Sequence, residues 1–116
     1  MHERLTHFRE ILRYVPRFRD RVFVIALDGA VVEDDNFPNL LLDIALLRSL
    51  SIRVVLVHGA AHQVRRYAEL MGLTPSDVDG TGITDRDTLN VAITAATRVT
   101  HEILEGLATN DLRAVS

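Results

Sequence analysis

Residues 51–62 read Ser-Ile-Arg-Val-Val-Leu-Val-His-Gly-Ala-Ala-His, and this stretch decides the class of fold. The segment 52–57 is almost continuously apolar and rich in valine, which is typical of a strand covered on both faces. Small residues then form a turn at 58–61, and helical spacing follows over 62–71, with Gly72 as a stop signal. A buried strand that passes through a tight turn into a helix is the repeating unit of a parallel α/β fold.

The same order of elements lies upstream. Residues 22–27 read Val-Phe-Val-Ile-Ala-Leu and predict another strand covered on both faces, followed by a turn at 28–30. Residues 39–50 have helical spacing, with Leu42 and Leu46 in the predicted inward stripe. Two strands joined through a helix predict a parallel pair with a right-handed crossover.

Downstream, the pattern predicts a loop over 73–83 and a long helix over 86–107, capped by Thr84 or Asp85. Residues 112–115 look like the start of a third strand. We therefore expect an α/β parallel-sheet layer sandwich that is incomplete within these 116 residues. The residues expected to face inward from the two later helices are Val64, Ala68, Met71, Leu89, Ala92, Ile93, Ala96, Val99, Ile103 and Leu107.

The charge divides the chain into an N-terminal helical arm, residues 1–21, and a body, residues 22–116. The arm holds six arginines against three acids, a net +3, and the body holds seven arginines against 13 acids, a net −6. The arm reads as an amphipathic helix that Pro16 ends, and its stripe either packs on the chain's own core or contacts another subunit. The apolar residues assigned to the arm are Leu5, Phe8, Leu12, Val15 and Phe18.

Composition excludes several classes of function. The chain has no cysteine, so it cannot hold a disulfide or a thiolate metal site, and no lysine, so it has neither a P-loop lysine nor a Schiff base. The net charge of −3 argues against nucleic acid as a partner. No apolar run approaches the roughly 20 residues that span a membrane, and the N-terminus lacks the apolar core of a signal peptide. We expect a cytoplasmic protein without a membrane partner.

Two turns follow the predicted strands, and they carry the candidate ligand-binding residues. In open α/β sheets, ligands bind at the carboxyl ends of the strands, where small residues let the backbone approach closely. Tight packing alone also explains such turns. His58 and His62 could bind a metal together with Asp28 and Asp85, but His58 closes a strand and His62 opens a helix, so they do not share one helical face and we expect no metal. The residues of the two turns are Asp28, Gly29, His58, Gly59, Ala60 and Ala61.

Most of residues 8–116 resemble the N-terminal part of the amino-acid kinase fold, which is carbamate kinase-like. The similarity is greatest to the branch that contains acetylglutamate kinase and N-acetylglutamate synthase. The stretches that carry it are Phe-Val-Ile-Ala-Leu-Asp-Gly (23–29), Asp-Ile-Ala-Leu-Leu (43–47), Ser-Ile-Arg-Val-Val-Leu-Val-His-Gly (51–59), Gly-Thr-Gly-Ile-Thr-Asp (80–85) and Phe-Arg (18–19). The resemblance implies that Gly82 and Asp85 join the two turns around a cleft.

The departures from the family's pattern point to a synthase-like, degenerate kinase domain. Active kinases have a lysine where this chain has Ala26, and a glycine where it has Asp28. Alanines stand in place of glycines at 60 and 61, and the arginine that holds the substrate carboxylate falls at Gly82, with Arg86 nearby. Phosphoryl transfer depends mainly on electrostatic stabilisation, so these losses argue against it.

The resemblance implies a regulatory domain without catalytic residues or a cofactor of its own. It would bind L-arginine or an acetylglutamate-like molecule and form a homo-oligomer through the N-terminal helix. The parent would be an amino-acid N-acetyltransferase that uses acetyl-CoA and L-glutamate in the first step of arginine biosynthesis. Two alternatives stay open: an acetylglutamate kinase that uses ATP, and a stand-alone small-molecule binding module.

Overall fold

The computed structural model describes residues 10, 17–74 and 85–116 of the chain. Two strands, β1 (Val22–Leu27) and β2 (Arg53–His58), pair in parallel, from Val22 beside Arg53 to Leu27 beside His58. Residues 10, 17 and 18 are helical, and the described helices that follow β1 and β2 are α1 (Gly29–Val32), α2 (Phe37–Ser49), α3 (Ala61–Leu70) and α4 (Arg86–Thr109). The predicted α/β class with a parallel sheet is confirmed. The short helix α1 stands where the sequence predicts only a turn.

The core lies between one face of the sheet and the helices α2 and α4. Ile25 and Leu27 of β1 and Val54 and Leu56 of β2 alternate toward this face, as the period of two in a strand requires. Gly106 allows the close approach of α4 to α2, since a Cβ there would lie 2.7 Å from Leu41 Cδ1. The buried residues of this core are Leu27, Val32, Phe37, Leu41, Ile44, Val99, Ile103 and Leu107.

The other face of the sheet is exposed, so the expectation that both faces are covered is wrong for the described residues. Val24 is 67% exposed and its partner Val55 is 48% exposed; Val22 and Val57 on the same face are similarly open. The core residues of α1, α2 and α4 lie on the opposite face, and the exposure of these valines shows that no described helix covers this one. The two strands therefore have apolar side chains on both faces, but only one face is buried in the described structure.

Helix orientation differs in part from the predicted stripes. In α2 the buried positions are Phe37, Leu41 and Ile44, whereas Leu42 and Leu46 are exposed. This helix has apolar residues on nearly every side, so periodicity alone does not fix which side faces inward. In the later helices Met71, Leu89 and Ile93 are exposed, while the inward assignment of Ala68, Val99, Ile103 and Leu107 is confirmed.

The three long helices end in the same hydrogen-bonded motif. The residue after each C-cap has a positive φ: Ser51 after α2, Gly72 after α3 and Asp111 after α4. After α3, the Gly72 N–H donates to Glu69 and the Leu73 N–H donates to Ala68, which is the Schellman pattern. The predicted stop at Gly72 is confirmed, whereas the other two ends use Ser51 and Asp111, which signal a left-handed conformation less strongly than glycine does.

The predicted third strand is absent from the described residues. At the end of α4 the Leu112 N–H donates to the Leu107 carbonyl at 3.0 Å, and the Leu112 side chain packs against the core. Residues 112–116 form no strand pairing. Leu112 closes the helix instead of entering the sheet, because its amide is already used in the helix C-cap.

Most of the N-terminal arm lies outside the described residues, including Leu5, Phe8, Leu12 and Val15. Phe18 is described, and its ring meets Phe23 of β1 edge to face, with centroids 5.5 Å apart and planes at 79°. The arm therefore joins the body at the amino end of the sheet. No helix in the described part of the chain has the length and apolar character needed to cross a membrane.

Candidate functional site

The carboxyl ends of the two strands bring the two predicted turns side by side. Leu27 and His58 are the last paired residues of the sheet, and the Gly59 N–H continues the pairing with a 3.2 Å hydrogen bond to the Leu27 carbonyl. The chain enters α1 after the first turn and α3 after the second. A parallel sheet places both turns at one edge, so the juxtaposition follows from the topology.

Asp28 caps α1 with its side chain. Its Oδ1 accepts the backbone N–H of Ala30 at 3.2 Å, and its backbone is extended, as an N-cap requires. The carboxylate thus lies over the amino end of the helix, where a ligand anion would otherwise meet free N–H groups. A phosphate at this turn would meet a negative charge.

Gly29 is buried, and it has no room for a side chain. A Cβ at Gly29 would collide with Gln63 Oε1 and would lie 2.8 Å from the Gly59 carbonyl oxygen and 3.2 Å from Ala60 Cα. All three neighbours belong to the segment that follows β2, so Gly29 allows the close approach of the two turns. The sequence predicts Gly29 as a residue of the cleft, but no local pattern predicts its contact with Gln63.

Gln63 is the residue that the sequence reading missed. It is 1% exposed, and its Nε2 donates to the Gly29 carbonyl at 2.7 Å. Its Oε1 is buried without a hydrogen-bond partner in the described structure. A glutamine in the first turn of a helix is normally solvated, so nothing local in the sequence distinguishes it.

His58 points toward α4 and contacts Thr100 of that helix. Its Nε2 lies 2.8 Å from Thr100 Oγ1, and the Thr100 hydroxyl donates to the Ala96 carbonyl at 3.0 Å. His58 and Thr100 therefore share a hydrogen bond whose direction depends on the histidine tautomer. His58 Nδ1 is buried and has no partner among the described residues.

The turn between β2 and α3 leaves the start of the helix without a side-chain cap. Ala60 is the N-cap and has no side chain that can accept, and the exposed Ala61 is the first helical residue. A Cβ at Gly59 would meet open space. The first N–H groups of α3 therefore lie beside an open turn, where a small ligand could be bound by the backbone.

Glu33 links α1 to α3 next to these turns. One carboxylate oxygen, Oε2, lies 2.9 Å from His62 Nε2, and the other, Oε1, pairs with Arg66 Nη1. All three side chains are partly exposed, with Glu33 the least open at 23%. His62 is thus a hydrogen-bond partner of Glu33, and the negative Glu33 offsets the positive charge of Arg66.

Asp85 performs a local structural role at the start of α4. Its Oδ1 accepts the Thr88 N–H at 2.7 Å, which confirms Asp85 as the cap of this helix. Gly82 lies outside the described residues. Within the described ranges, no group of three or more histidine and acidic side chains gathers as a metal site would require.

The fold and the turns define a class: a parallel α/β domain whose strand ends open on small-residue turns. The model of the amino acid kinase family matches residues 21–116, so the chain belongs to that family. The resemblance read from the sequence is thereby confirmed.

Relatives within the family carry two different activities. The amino-acid acetyltransferase of Vibrio cholerae is 39% identical over 101 residues, which are 87% of this chain and 23% of that protein. The acetylglutamate kinase of Chlorobium chlorochromatii is 35% identical over 108 residues, which are 91% of this chain and 38% of that protein. The chain thus spans between about a quarter and two fifths of the length of these two relatives.

A solved structure shares the fold. The N-acetylglutamate synthase from Neisseria gonorrhoeae, complexed with coenzyme A and N-acetyl-glutamate, superposes with a TM-score of 0.72 at 36% identity. The match covers 90% of this chain and 24% of the synthase chain. This likeness extends the predicted similarity to the synthase branch from sequence to structure.

Proposed function

We propose that this chain is the front part of a degenerate amino-acid kinase-like domain of an N-acetylglutamate synthase, and that it binds a small molecule without phosphorylating it. The Asp28 carboxylate is the observation that carries the proposal. It covers the amino end of α1 at the turn after β1, where a phosphate-binding turn needs open N–H groups and no negative charge.

The electrostatics around the turn support the same proposal. Phosphoryl transfer requires positive charge beside the transferring group. The chain contains no lysine, Ala26 occupies the position of the family's lysine, and Arg66 is already paired with Glu33. L-arginine carries a net positive charge at neutral pH and needs no such concentration of positive charge, so its binding is compatible with these residues and with the Asp28 carboxylate.

The proposed cleft contains Asp28, Gly29, His58, Gly59, Ala60, Ala61, Gly82 and Asp85. Its ligand would be L-arginine or an acetylglutamate-like molecule, and the parent protein would transfer an acetyl group from acetyl-CoA to L-glutamate in the cytoplasm. Residues 1–21 would form the oligomer arm, through Leu5, Phe8, Leu12, Val15 and Phe18, and residues 22–116 the kinase-like body. The acetyltransferase relatives and the synthase structure support this assignment.

Acetylglutamate kinase is the second candidate, and the relative from Chlorobium chlorochromatii favours it. That match covers 91% of the chain, slightly more than the 87% of the acetyltransferase match. This candidate predicts that ADP forms from N-acetyl-L-glutamate and Mg-ATP. The synthase proposal predicts no ADP.

The experiment is a titration calorimetry series with L-arginine and N-acetyl-L-glutamate, paired with an ADP assay. Gly59→Leu is the test variant, because a side chain there enters open space at the turn without a clash. Ala108→Leu, at an exposed position in the last turn of α4, adds the same side chain elsewhere. We expect the wild type and Ala108→Leu to bind one of the two ligands and Gly59→Leu to lose it. A wild type that binds neither ligand would refute the proposal.

A further inference from the structure

We infer that Gln63 is a positioning residue of the ligand-binding cleft: it fixes the spacing of the two turns without touching the ligand. The inference rests on the proposed function and adds a residue that the family resemblance did not bring in. Its three supports are the burial of the side chain, its hydrogen bond to the opposite turn, and the exclusion of any side chain at Gly29.

Gln63 is held as a core residue although it is polar. It is 1% exposed, and together with Val99 it is among the largest fully buried side chains of the described chain. Burying an amide is unfavourable unless it gains a hydrogen bond. The bond that it gains, from Nε2 to the Gly29 carbonyl at 2.7 Å, crosses 34 positions of sequence to the other turn.

The contact is mutual, since Gly29 is the position that accommodates the amide. A Cβ at Gly29 would collide with Gln63 Oε1. The amide therefore fills the space that a side chain at the first turn would take. Helix α3 and the turn after β1 can hold their present spacing only with both residues in place.

This link acts at the start of α3, where the helix has no side-chain cap. Ala60 provides no side-chain cap to α3, so the orientation of the helix start depends on contacts to its neighbours. On the more exposed side, Glu33 joins α1 to His62 and Arg66 of α3. On the buried side, Gln63 joins the same two elements through a donor that water does not reach. Exposed ion pairs hold geometry weakly, so we assign the spacing to Gln63.

Two variants separate the hydrogen bond from the volume of the side chain. Gln63→Met keeps the length and the burial and removes the donor. Gln63→Glu keeps the shape, and its carboxyl can donate to the Gly29 carbonyl only when it is protonated, a form that burial favours at mildly acidic pH. Asp28, Glu33, His62 and Arg66 also surround the junction, so each variant is compared with the wild type at the same pH.

The probes are L-arginine and N-acetyl-L-glutamate, with affinities measured at pH 8 and pH 5.5 on the full chain. We expect binding by Gln63→Met to be about tenfold weaker than wild type at both pH values, since a lost buried hydrogen bond has that magnitude. Gln63→Glu should be as weak at pH 8 and should recover most of the loss at pH 5.5. Equal affinity of the wild type and both variants at pH 8 would overturn the inference.

A second readout needs no ligand. The Gly59 N–H bonds to Leu27 and the Val64 N–H bonds to Ala60, so both amides report on the junction, whereas the Leu112 N–H lies at the far end of α4. We expect exchange at Gly59 and Val64 to be about tenfold faster in Gln63→Met, with Leu112 unchanged. Unchanged exchange at the junction refutes the positioning role. Failure of the wild type to bind either probe refutes the proposed function instead.

Discussion

The contact between the two turns predicts that Gly29 does not tolerate even a methyl group. Gly29→Ala places a Cβ against Gln63 Oε1 and 2.8 Å from the Gly59 carbonyl oxygen, which belongs to the backbone and cannot rotate away. Overpacking of this kind costs about 1–3 kcal/mol. Alanine gains up to about 1 kcal/mol over glycine in a helix, and Gly29 is the first residue of α1. We therefore expect a net loss of about 1–2 kcal/mol in the free energy of unfolding.

The assay is urea unfolding followed by circular dichroism, with the midpoint and the slope both fitted. Gly59→Ala is the matched control, because it adds the same methyl group to the neighbouring turn, where a Cβ meets open space. We expect Gly59→Ala to lie within about 0.5 kcal/mol of the wild type. A Gly29→Ala variant that unfolds at the same midpoint as Gly59→Ala would refute the steric argument.

A double-mutant cycle identifies the origin of the loss. Gln63→Ala removes the amide that Cβ meets first, but leaves the Gly59 carbonyl and Ala60 Cα in place. The two substitutions together should therefore cost less than the sum of the single losses, with a coupling of about 0.5–1 kcal/mol. Strict additivity would show that the two residues do not share one space.

Three further predictions test the elements that position the site. Ile103→Ala, in the core of α4 at 5% exposure, should lower the free energy of unfolding by about 2–5 kcal/mol, measured in the same urea assay. Asp85→Ala removes the acceptor of the Thr88 N–H and should lower the free energy of unfolding by about 1 kcal/mol, with faster amide exchange at the start of α4. Glu33→Gln weakens a partly exposed ion pair and should cost less than about 1 kcal/mol, a loss that 1 M salt should diminish because salt screens the wild-type pair.

The secondary structure of the chain could be predicted because local signals agree with it. The strand over 22–27 was predicted with its observed bounds, and β2 was predicted within one residue of its own. These segments are short, apolar and bounded by turn residues, so propensity and pattern point the same way. Asp85 likewise has the side chain that an N-cap needs, and the structure uses it as one.

The direction in which elements face could be predicted only where the sequence is asymmetric. In α4 the stripe through Val99, Ile103 and Leu107 has charged and polar residues opposite, and it is buried as predicted. In α2, Leu41 and Leu42 are adjacent and equally apolar, yet the first is 5% exposed and the second 57%. The choice between them depends on packing against β2 and α4, and that information is not local.

The exposed face of the sheet is a second feature that the sequence does not predict. Val24 and Val55 are neighbours in the register, and their valine-rich strands predict cover on both faces. The core residues of the described helices lie on one face of the sheet only, whereas a valine-rich strand is typical of a sheet covered on both faces. The disagreement is therefore specific to this face, and the inward-facing positions of both strands agree with the prediction.

In the candidate site, too, the local sequence predicts some residues, and others depend on contacts that are distant in sequence. Small residues at the turns could be read as a cleft because their chemistry is local, and so could Asp28, whose side chain caps the helix that it precedes. Gln63 could not, since its burial depends on the absence of a side chain at Gly29, which lies 34 positions earlier. A turn alone would explain Gly29, and an exposed position in the first turn of a helix would explain Gln63. Only the structure shows that the two residues contact each other, and no sequence motif identifies that contact.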